Sequence, residues 1–434
     1  MSALSAIDQI NLFDPAVYVE NRFHEPLRAL RQEDPVHWHP ATDEFEGFWS
    51  LTKYDDILQV SRSPELFMSG RGILGPAMRS EALAALMAER PAEAMQASGG
   101  AGAFANILIM MDPPKHVKMR RLVNKGFTPR AVNAMEPEIR RIANEVLDKL
   151  SGRPEGDFVL EVASQLPLAV ICGMMGLAEE HWPLMFEVTN KLIGSDDAEY
   201  QTDVPEDQRG TSMAARQSAM VGMGTLIGFF QQILEERRAH PKENDLVTIL
   251  LEAEYESEKL SEADLLAFCF LLIVAGNETT RNAISGGMHT FSEHPDQKAR
   301  LLADMSLIDT AVEEVLRWVS PVFHMARTAT ADTEIRGREI KAGQRLIMWY
   351  PSANRDEDVF ADPYTFDITR TPNDHLAFGI GEHFCLGAGF ARKELKVMFE
   401  ELFARYPKIE TTGQPVRLRS NIVSGIKHLP VRYG

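Results

Sequence analysis

A single cysteine in a glycine-rich stretch has the most distinctive chemistry in this chain. Cys385 follows a loop that contains Gly379 and Gly381, and an amphipathic run that predicts a helix begins after Gly387. The unpaired N–H groups at the start of a helix favour a negatively charged sulfur. Glycines let a large flat ligand approach the backbone closely. A thiolate in such a loop suits a haem iron, toward which a cysteine ligand pushes electron density.

The residues around this cysteine resemble the haem-binding signature of the cytochrome P450 family. The matching positions are Phe378, Gly379, Gly381, His383, Cys385 and Gly387. The resemblance implies that Cys385 ligates the iron of haem b and that Phe378, Gly379 and His383 contact the cofactor. A buried structural cysteine after a turn is the alternative, because free cysteine is among the most buried residue types. The flanking pattern favours the iron ligand.

A second stretch contains residues that are unfavourable inside a buried helix. Ser261 begins a predicted helix that stays apolar to Ala275 and then meets the polar stretch Gly276 to Thr280. A glycine inside a helix costs about 1 kcal/mol relative to alanine, and buried polar groups cost more unless they find partners. Such conflicts are typical of functional sites. An alcohol can hydrogen-bond dioxygen and a carboxylate can supply protons, as reductive O–O cleavage requires.

This polar stretch resembles the oxygen-activation motif of the same family. The resemblance implies that Thr279 is the alcohol and Glu278 the acid, although many members carry aspartate where this chain has glutamate. The absent side chain at Gly276 is expected to leave room for a small ligand between helix and haem. The structural alternative is that Thr279 hydrogen-bonds the carbonyl group of Ala275 and bends the helix. The two interpretations are compatible.

Basic residues in two further places predict an edge that binds carboxylates. His116 and Arg120 are four residues apart on a predicted helix, so they share a face and can hold a carboxylate by charge-assisted hydrogen bonds. The pair resembles the clamp that the family places on the haem propionates. Arg327 and His383 match two further propionate ligands. A solvated basic face is the alternative for this helix.

The helix that carries His116 and Arg120 is strongly basic. Lys115 to Arg130 has six lysines and arginines and no acidic residue, in a chain whose net charge is −18. A basic patch on an acidic protein can steer an acidic partner. In the family this helix lies near the cysteine, where an electron-transfer protein docks. We expect no fused flavin or ferredoxin domain, so that electrons come from a separate iron–sulfur ferredoxin and its NAD(P)H-dependent reductase.

Composition indicates an ordinary globular protein. Of 434 residues, 44% are hydrophobic and 25% charged. The longest apolar run, Leu265 to Gly276, is too short to span a bilayer, and the N-terminus lacks a signal-peptide pattern. The acidic charge argues against nucleic-acid binding, and three dispersed cysteines form no disulfide framework. We therefore expect a cytoplasmic monomer that binds neither membrane nor nucleic acid, with Cys172 and Cys269 as inert core residues.

Periodicity predicts mostly helices, with short strands near both ends of the chain. The segments Val36 to Trp38 and Gly47 to Leu51 favour a β-hairpin, and Glu334 to Tyr350 favours a second hairpin-like region. Further helices are predicted at 11–31, 54–61, 80–89, 129–150, 166–175, 213–240 and 307–318. A final strand and turn is predicted at 421–430, with Ile422 and Val423 as candidates for the pocket wall.

Two irregular stretches interrupt these elements. Gly70 to Ala105 resembles the mobile loop that lies over the substrate pocket in the family, with a floppy surface insertion as the alternative. Gly194 to Gly210 resembles the loop between the two helices that cover the pocket.

A structural role is expected for Glu314 and Arg317, which are three apart on an apolar stripe. With Arg370 they resemble the buried ion-pair cluster of the family.

Together the motifs resemble the family over nearly the whole chain, from about Asn11 to Tyr433. The resemblance implies a mainly α-helical fold with a smaller β-rich region, in which residues 1–434 form a single domain. Haem is then expected between the long central helix and the cysteine loop. The implied reaction is monooxygenation, in which one atom of O2 enters a C–H bond and the other becomes water.

The expected substrate is an apolar small molecule, because Met, Leu, Ile and Phe dominate the predicted pocket. Tyr350 to Asp356 and Ala275 to Asn282 resemble bacterial members that hydroxylate terpenoids, steroid side chains or branched lipids. Two other functions stay open. A haem gas sensor leaves the Glu278–Thr279 pair unexplained, and a peroxide-driven peroxygenase needs neither this pair nor a ferredoxin.

Overall fold

The structure is a computed structural model that describes residues 7–77, 79, 107–242, 245–255 and 258–434. The alanine-rich helix predicted from Ser80 to Glu89, and most of the irregular stretch from Gly70 to Ala105, lie outside these residues. The predicted mainly α-helical fold with a smaller β-rich region is confirmed.

Helices make up most of the described chain. They are α1 (Ala16–Val19), α2 (His24–Glu33), α3 (Tyr54–Arg62), α4 (Lys115–Val123), α5 (Pro129–Asp148), α6 (Gln165–Met174), α7 (Trp182–Ile193), α8 (Ser212–Ala239), α9 (Leu246–Glu252), α10 (Glu262–Glu293), α11 (Pro295–Ala303), α12 (Ile308–Val319), α13 (Tyr350–Ala353) and α14 (Ala388–Arg405). The predicted bounds of α3, α5, α6, α8 and α12 agree with these to within two residues.

Short strands form one larger sheet and several small ones. They are β1 (Val36–His39), β2 (Phe48–Leu51), β3 (Phe67–Met68), β4 (Glu155–Asp157), β5 (Glu254–Tyr255), β6 (Glu258–Lys259), β7 (His324–Ala329), β8 (Thr333–Ile335), β9 (Arg338–Ile340), β10 (Arg345–Trp349), β11 (Glu410–Thr411), β12 (Val416–Arg417), β13 (Ile426–His428) and β14 (Pro430–Arg432). The larger sheet has the order β1-β2-β10-β7-β3.

The register of this sheet fixes the position of one candidate site residue. β1 and β2 pair antiparallel with Val36 opposite Leu51, which confirms the predicted hairpin. β10 lies between β2 and β7, and Leu346 of β10 is opposite Arg327 of β7. Arg327 therefore comes from an inner strand, and its side chain is buried. Because β7 is paired on both sides, the Arg327 side chain extends from a rigid strand.

The long helix α10 runs through the centre of the protein. Its N-cap is Ser261, whose hydroxyl group accepts a hydrogen bond from the backbone N–H of Asp264. Its first half packs in an apolar cluster with α6, α7 and α8, and its second half packs in another with α5, α12 and α14. The helix is long and apolar enough to span a membrane, but 56% of its most apolar window is buried inside the protein. Such burial is typical of the core helix of a globular domain.

A buried ion-pair cluster holds the coil that leads to the cysteine loop. Arg317 donates to both carboxylate oxygens of Glu314, at 2.7 and 2.8 Å, and Arg370 Nε lies 3.1 Å from the same carboxylate. Arg317 also donates to the carbonyl oxygens of Asn354 and Pro363. The predicted cluster of Glu314, Arg317 and Arg370 is thus confirmed, and it ties α12 to the coil after α13.

Candidate active site

A cavity lies between α10 and the loop that carries the cysteine. Ala275, Gly276 and Thr279 line it on the α10 side, and Phe378 and Cys385 line it on the loop side. Further walls come from α4, α6, α12, α13, α14 and β7 and from the short helical turn Leu108–Met110. The two stretches with unusual sequence chemistry therefore face one another across the same space.

Two glycines give the cysteine loop its shape. Gly379 and Gly381 have φ angles of +64° and +77°, in the region that favours glycine. A Cβ atom at Gly381 would lie 2.2 Å from the carbonyl oxygen of Ser61, so no other residue fits there. The N–H of Cys385 donates to the carbonyl oxygen of Phe378, 2.9 Å away, and closes the loop. The sulfur is thereby held beside the cavity.

Burial and the helix start act in opposite directions on the thiol of Cys385. Burial raises its pKa above the ordinary value, whereas the N–H groups of Gly387 and Ala388 at the start of α14 lower it. The helix start thus favours the thiolate as expected, but burial is the larger effect and leaves the pKa of the thiol raised in the protein alone. A metal bound to the sulfur reverses this balance, because a coordinating thiol loses its proton.

Four basic side chains meet at one edge of the cavity. His116, Arg120, Arg327 and His383 all line it, and the rings of His116 and His383 lie 4.1 Å apart. Burial, together with the positive charge of Arg120 and Arg327, lowers the pKa of His116 to about 4. Burial and the same two arginines lower the pKa of His383 to about 2. Additional positive charge is therefore disfavoured here, and a carboxylate is the group that this edge accepts.

This edge and the lone thiol fit haem. Both ring nitrogens of His116 are buried without a hydrogen-bond partner in the described chain, and burial lowers the pKa of the Arg327 guanidinium. Two propionates would satisfy such donors. Among the described residues no group of three or more His, Cys, Asp or Glu side chains could hold a metal ion. A single thiolate ligand suits a metal ion that is already coordinated by a porphyrin ring.

The α10 wall of the cavity contains a hydroxyl group turned toward its own helix. Thr279 Oγ1 donates to the carbonyl oxygen of Ala275, 2.9 Å away, as the structural alternative predicted. Gly276 lines the cavity, but a Cβ atom there would lie 3.1 Å from the side chain of Ile171 on α6. The missing side chain therefore also makes room for α6, and the expected room for a small ligand stays a prediction.

Glu278 does not line the cavity, although it adjoins Thr279 in sequence. Its carboxylate is buried and paired with Arg281, whose Nη1 donates to Asn190 Oδ1 of α7 at 2.7 Å. Burial raises the pKa of Glu278, and Arg281 opposes this rise. The other carboxylate oxygen, Oε1, has no hydrogen-bond partner among the described residues. The acid therefore faces α7.

Two titratable side chains of the cavity were not assigned to the site by sequence reasoning. Glu394 of α14 lines the cavity without an ion-pair partner in the described chain, and burial raises its pKa to about 8. Its position four residues from both Phe390 and Met398, on a buried face, was the available signal. Tyr350 also lines the cavity and carries a buried phenol, with no signal in the local pattern.

The predicted final strand is interrupted at the place expected to touch the pocket. Ile422 and Val423 lie in the turn before β13, and Val423 forms an isolated bridge with Val322. Neither Ile422 nor Val423 lines the cavity, so the prediction that they form its wall is wrong. Val322 and Met325 provide that wall instead.

Known proteins share this sequence and architecture. A sequence model described as Cytochrome P450 matches residues 52–428. The chain is 39% identical over 416 residues to a methyl-branched lipid omega-hydroxylase of Mycobacterium tuberculosis, covering 93% of this chain and 90% of that protein. It is 37% identical over 426 residues to a steroid C26-monooxygenase of Rhodococcus jostii, covering 97% and 84%. A Mycobacterium marinum cytochrome P450 solved with pseudoionone has a TM-score of 0.86 and 35% identity, covering 99% of this chain and 100% of that chain.

Proposed function

The chain belongs to the cytochrome P450 family, and from this premise we propose that it hydroxylates a C–H bond of an apolar terpenoid, steroid or branched lipid with electrons from a separate ferredoxin. It is a monooxygenase with haem b as its cofactor. The observation that carries the proposal is the cavity in which Cys385 of the loop faces Thr279 of α10. Bound haem b supplies O–O cleavage and the oxidising power for an unactivated C–H bond.

Different residues of the chain hold different parts of this cofactor in the proposed complex. Cys385 is the proposed iron ligand, and Phe378 and Gly379 lie in the loop beside it. At another edge of the cavity, four basic side chains bind the two propionates. These are His116, Arg120, Arg327 and His383. The low histidine pKa values support hydrogen bonding to carboxylates by neutral rings, because a neutral imidazole keeps one N–H donor.

Thr279 and Glu278 are the proposed proton-handling pair. The Thr279 hydroxyl group donates its proton to the carbonyl oxygen of Ala275, so its lone pairs can accept a hydrogen bond from the cavity. Glu278 lies behind this wall with one unpartnered oxygen in the described chain. Because burial raises the pKa of Glu278, its carboxyl group exchanges protons closer to neutral pH than an exposed glutamate does.

An apolar substrate suits the side chains around the remaining space. They are Ile109, Met174, Leu271, Leu272, Val322 and Met325. Apolar walls with few polar groups bind a hydrocarbon by removing it from water. The orientation of the hydrocarbon is then determined by the shape of the cavity. The names of the lipid omega-hydroxylase and the steroid C26-monooxygenase support a lipid-like molecule.

Electron supply, location and assembly are part of the same proposal. A concave surface beside Cys385 is lined by four basic side chains, Arg120, Arg392, Lys393 and Lys396, and by two acidic ones, Asp309 and Glu313, which pair with Lys396 and Arg392. The excess of basic groups suits an acidic iron–sulfur ferredoxin, which an NAD(P)H-dependent reductase would reduce. The burial of the apolar helix α10 argues against a membrane span, and we propose that the chain acts as a cytoplasmic, single-domain monomer.

The central test is spectroscopic. Carbon monoxide added to the reduced protein is expected to give the red-shifted Soret band of a thiolate-ligated haem, and Cys385→Ser is expected to lose it. A Cys172→Ser variant, which changes a buried cysteine that does not line the cavity, is the matched control. An unchanged band in Cys385→Ser would show that the iron has another ligand.

Substrate and electron source are tested separately. Terpenes, steroids and branched fatty acids are screened for a low- to high-spin shift and then for hydroxylated product with a ferredoxin and its reductase. Turnover with peroxide that equals the ferredoxin-driven rate, and that Thr279→Ala leaves unchanged, would favour a peroxygenase. Ligand binding without any product would favour a sensor.

A further inference from the structure

Two basic residues of β13 bind the segment that connects α7 to α8. Lys427 Nζ donates to Asp197 Oδ1 at 2.9 Å and to Glu199 Oε2 at 2.7 Å. His428 Nε2 lies 2.9 Å from the other carboxylate oxygen of Glu199. Lys427 and Asp197 are buried. We call these four residues, together with Asp157 of β4, the β13 clamp.

The histidine of the β13 clamp touches carboxylates with both ring nitrogens. His428 Nδ1 lies 2.6 Å from Asp157 Oδ2, in addition to its contact with Glu199. A neutral imidazole has one N–H and can donate to only one of these carboxylates, whereas an imidazolium donates to both. With both carboxylates ionised, the observed geometry requires a protonated ring. If the ring loses this proton, the lone pair of one ring nitrogen faces a carboxylate oxygen, and the two repel each other.

The surroundings of the ring favour its charged form. Burial lowers the pKa of His428, but the hydrogen bonds and charges of Asp157 and Glu199 outweigh it and leave the pKa above its ordinary value. Burial raises the pKa of Glu199, but hydrogen bonds from Lys427 and His428 outweigh it and lower that pKa, so the carboxylate stays ionised near neutral pH. The residue opposite His428 on β12 is Val416, so β12 presents an uncharged partner to the ring.

The clamped segment is continuous with a helix that contacts the active-site helix. α7 ends at Ile193, and Tyr200 packs so closely on Gly194 that a Cβ atom there would lie 2.4 Å from its ring. In the last turns of α7, Thr189 accepts a hydrogen bond from Asn277 at 3.0 Å, and Asn190 accepts one from Arg281. These contacts flank Glu278, so the β13 clamp holds the end of α7 where it meets the proposed proton-handling stretch.

We propose that Lys427 and His428 are positioning residues that hold the end of α7 against α10, and that protonation of His428 makes this hold depend on pH. The inference rests on the proposed function, because it concerns how the helix beside the proton-handling residues is fixed. The β13 clamp is complete below the ordinary histidine pKa of about 6.5. It weakens as the pH rises through the raised pKa of His428 in the folded protein.

The test is hydrogen exchange of the haem-loaded full chain between about pH 5.5 and 8.5, a range that spans the histidine titration, corrected for the intrinsic pH dependence of exchange. Amides of residues 194–200 are expected to exchange roughly tenfold faster at high pH for each unit by which the pKa of His428 is raised. His428→Asn is expected to exchange fast at every pH, without the step. His240→Asn, which changes an exposed histidine at the end of α8, is the matched control and keeps the step.

Several outcomes would overturn the inference. A wild-type profile without a step, or a step that survives in His428→Asn, shows that His428 does not control the segment. If His428→Asn does not fold, Glu199→Gln serves instead and must shrink the step. The carbon monoxide band reports on the proposed function separately. A normal band without a pH step contradicts the β13 clamp alone, and a missing band with the step intact contradicts the proposed function alone.

Discussion

Glu278 and Arg281 form a buried ion pair one turn apart on α10, on the side of the helix that faces α7. Thr279, next to Glu278 in sequence, lines the cavity instead. Consecutive residues of an α-helix point about 100° apart, so an acid and an alcohol that are neighbours in sequence reach different spaces. A proton that passes between them must travel around the helix, through a water molecule or a change of rotamer.

Glu278→Gln is expected to slow hydroxylation by about 100-fold or more, because general acid–base groups contribute factors of that size. Removal of the carboxylate also leaves the buried charge of Arg281 without its partner, which costs stability on the order of 3 kcal/mol. The rate is measured as product formed per haem, counted from the carbon monoxide band so that unfolded protein does not contribute.

Glu262→Gln is the matched control for this change. Glu262 lies on the same helix and also pairs with an arginine, Arg238, but both side chains are nearly half exposed. The substitution should leave the rate nearly unchanged, and the stability too, since exposed pairs contribute little. Equal rates in Glu278→Gln and Glu262→Gln would remove Glu278 from the proposed mechanism.

Glu394 is expected to make the protein less stable as the pH rises. Its pKa in the folded chain is about 8, above the unfolded value of about 4.3. Between these values the unfolded chain releases the proton that the folded chain retains, so unfolding becomes easier with rising pH, by up to about 1.4 kcal/mol per pH unit. Glu394→Gln should remove this slope from urea unfolding curves recorded between the two pKa values.

A titratable side chain at the same position serves as the control. Glu394→Asp keeps a buried carboxyl group and should keep a slope of the same sign, whatever its effect on packing. Parallel slopes in wild type and Glu394→Gln would mean that Glu394 is ionised in the folded protein and has a partner at Oε2, which has none among the described residues.

The cysteine loop and the Glu314–Arg317 pair could be predicted because their residues stand at fixed, short spacings, whereas Arg370, 56 positions from Glu314, was assigned through the resemblance to the family. The direction of Glu278 could not, since it is set by the contact of Arg281 with Asn190, which are 91 positions apart. The close packing of Gly276 on Ile171 of another helix depends in the same way on tertiary contacts. Helical periodicity reports which residues share a face, and only the packed neighbours decide what that face meets.

The β13 clamp also could not be predicted from sequence patterns, because its residues are even farther apart in the sequence. Lys427 and Glu199 are 228 positions apart, and neither lies in a recognisable pattern. The sequence predicts the irregular stretch from Gly194 to Gly210 as a break before the helix at 213–240, in agreement with the start of α8, but it does not predict α7 on the other side. Its anchoring by charged groups of β13 follows from tertiary contacts alone.

Glu314→Gln is expected to destabilise the protein by about 3 to 5 kcal/mol, because it removes the carboxylate that two buried arginines share. The fully buried Arg317 and the largely buried Arg370 both donate to it. The coil before the cysteine loop should loosen as well, so haem should dissociate faster. Unfolding in urea and transfer of haem to an acceptor protein measure the two effects.

Glu313→Gln is the neighbouring control, since Glu313 is partly exposed and pairs with Arg392 on α14. Its loss should cost only about 1 kcal/mol. Burial raises the pKa of Glu313, but bonds to His375 and Arg392 outweigh it and lower the pKa to about 2. This contribution is therefore present at neutral pH and disappears as the pH falls from about 4.3 toward the folded value. Equal losses in the two variants would mean that the Glu314 cluster is not the stronger constraint.

Gly287→Ala is expected to destabilise the protein, whereas Gly224→Ala is expected to stabilise it. Both glycines lie inside helices, where alanine is favoured by about 1 kcal/mol. At Gly287 of α10 a Cβ atom would lie 2.8 Å from side-chain atoms of both Phe399 and Val315, so the core must shift, at a cost of about 1 to 3 kcal/mol. At Gly224 of α8 it would meet no described atom within 4 Å. Opposite signs in urea unfolding would show that close approach of α10 to α12 and α14 is what requires Gly287, and the same sign would mean that helix propensity decides both.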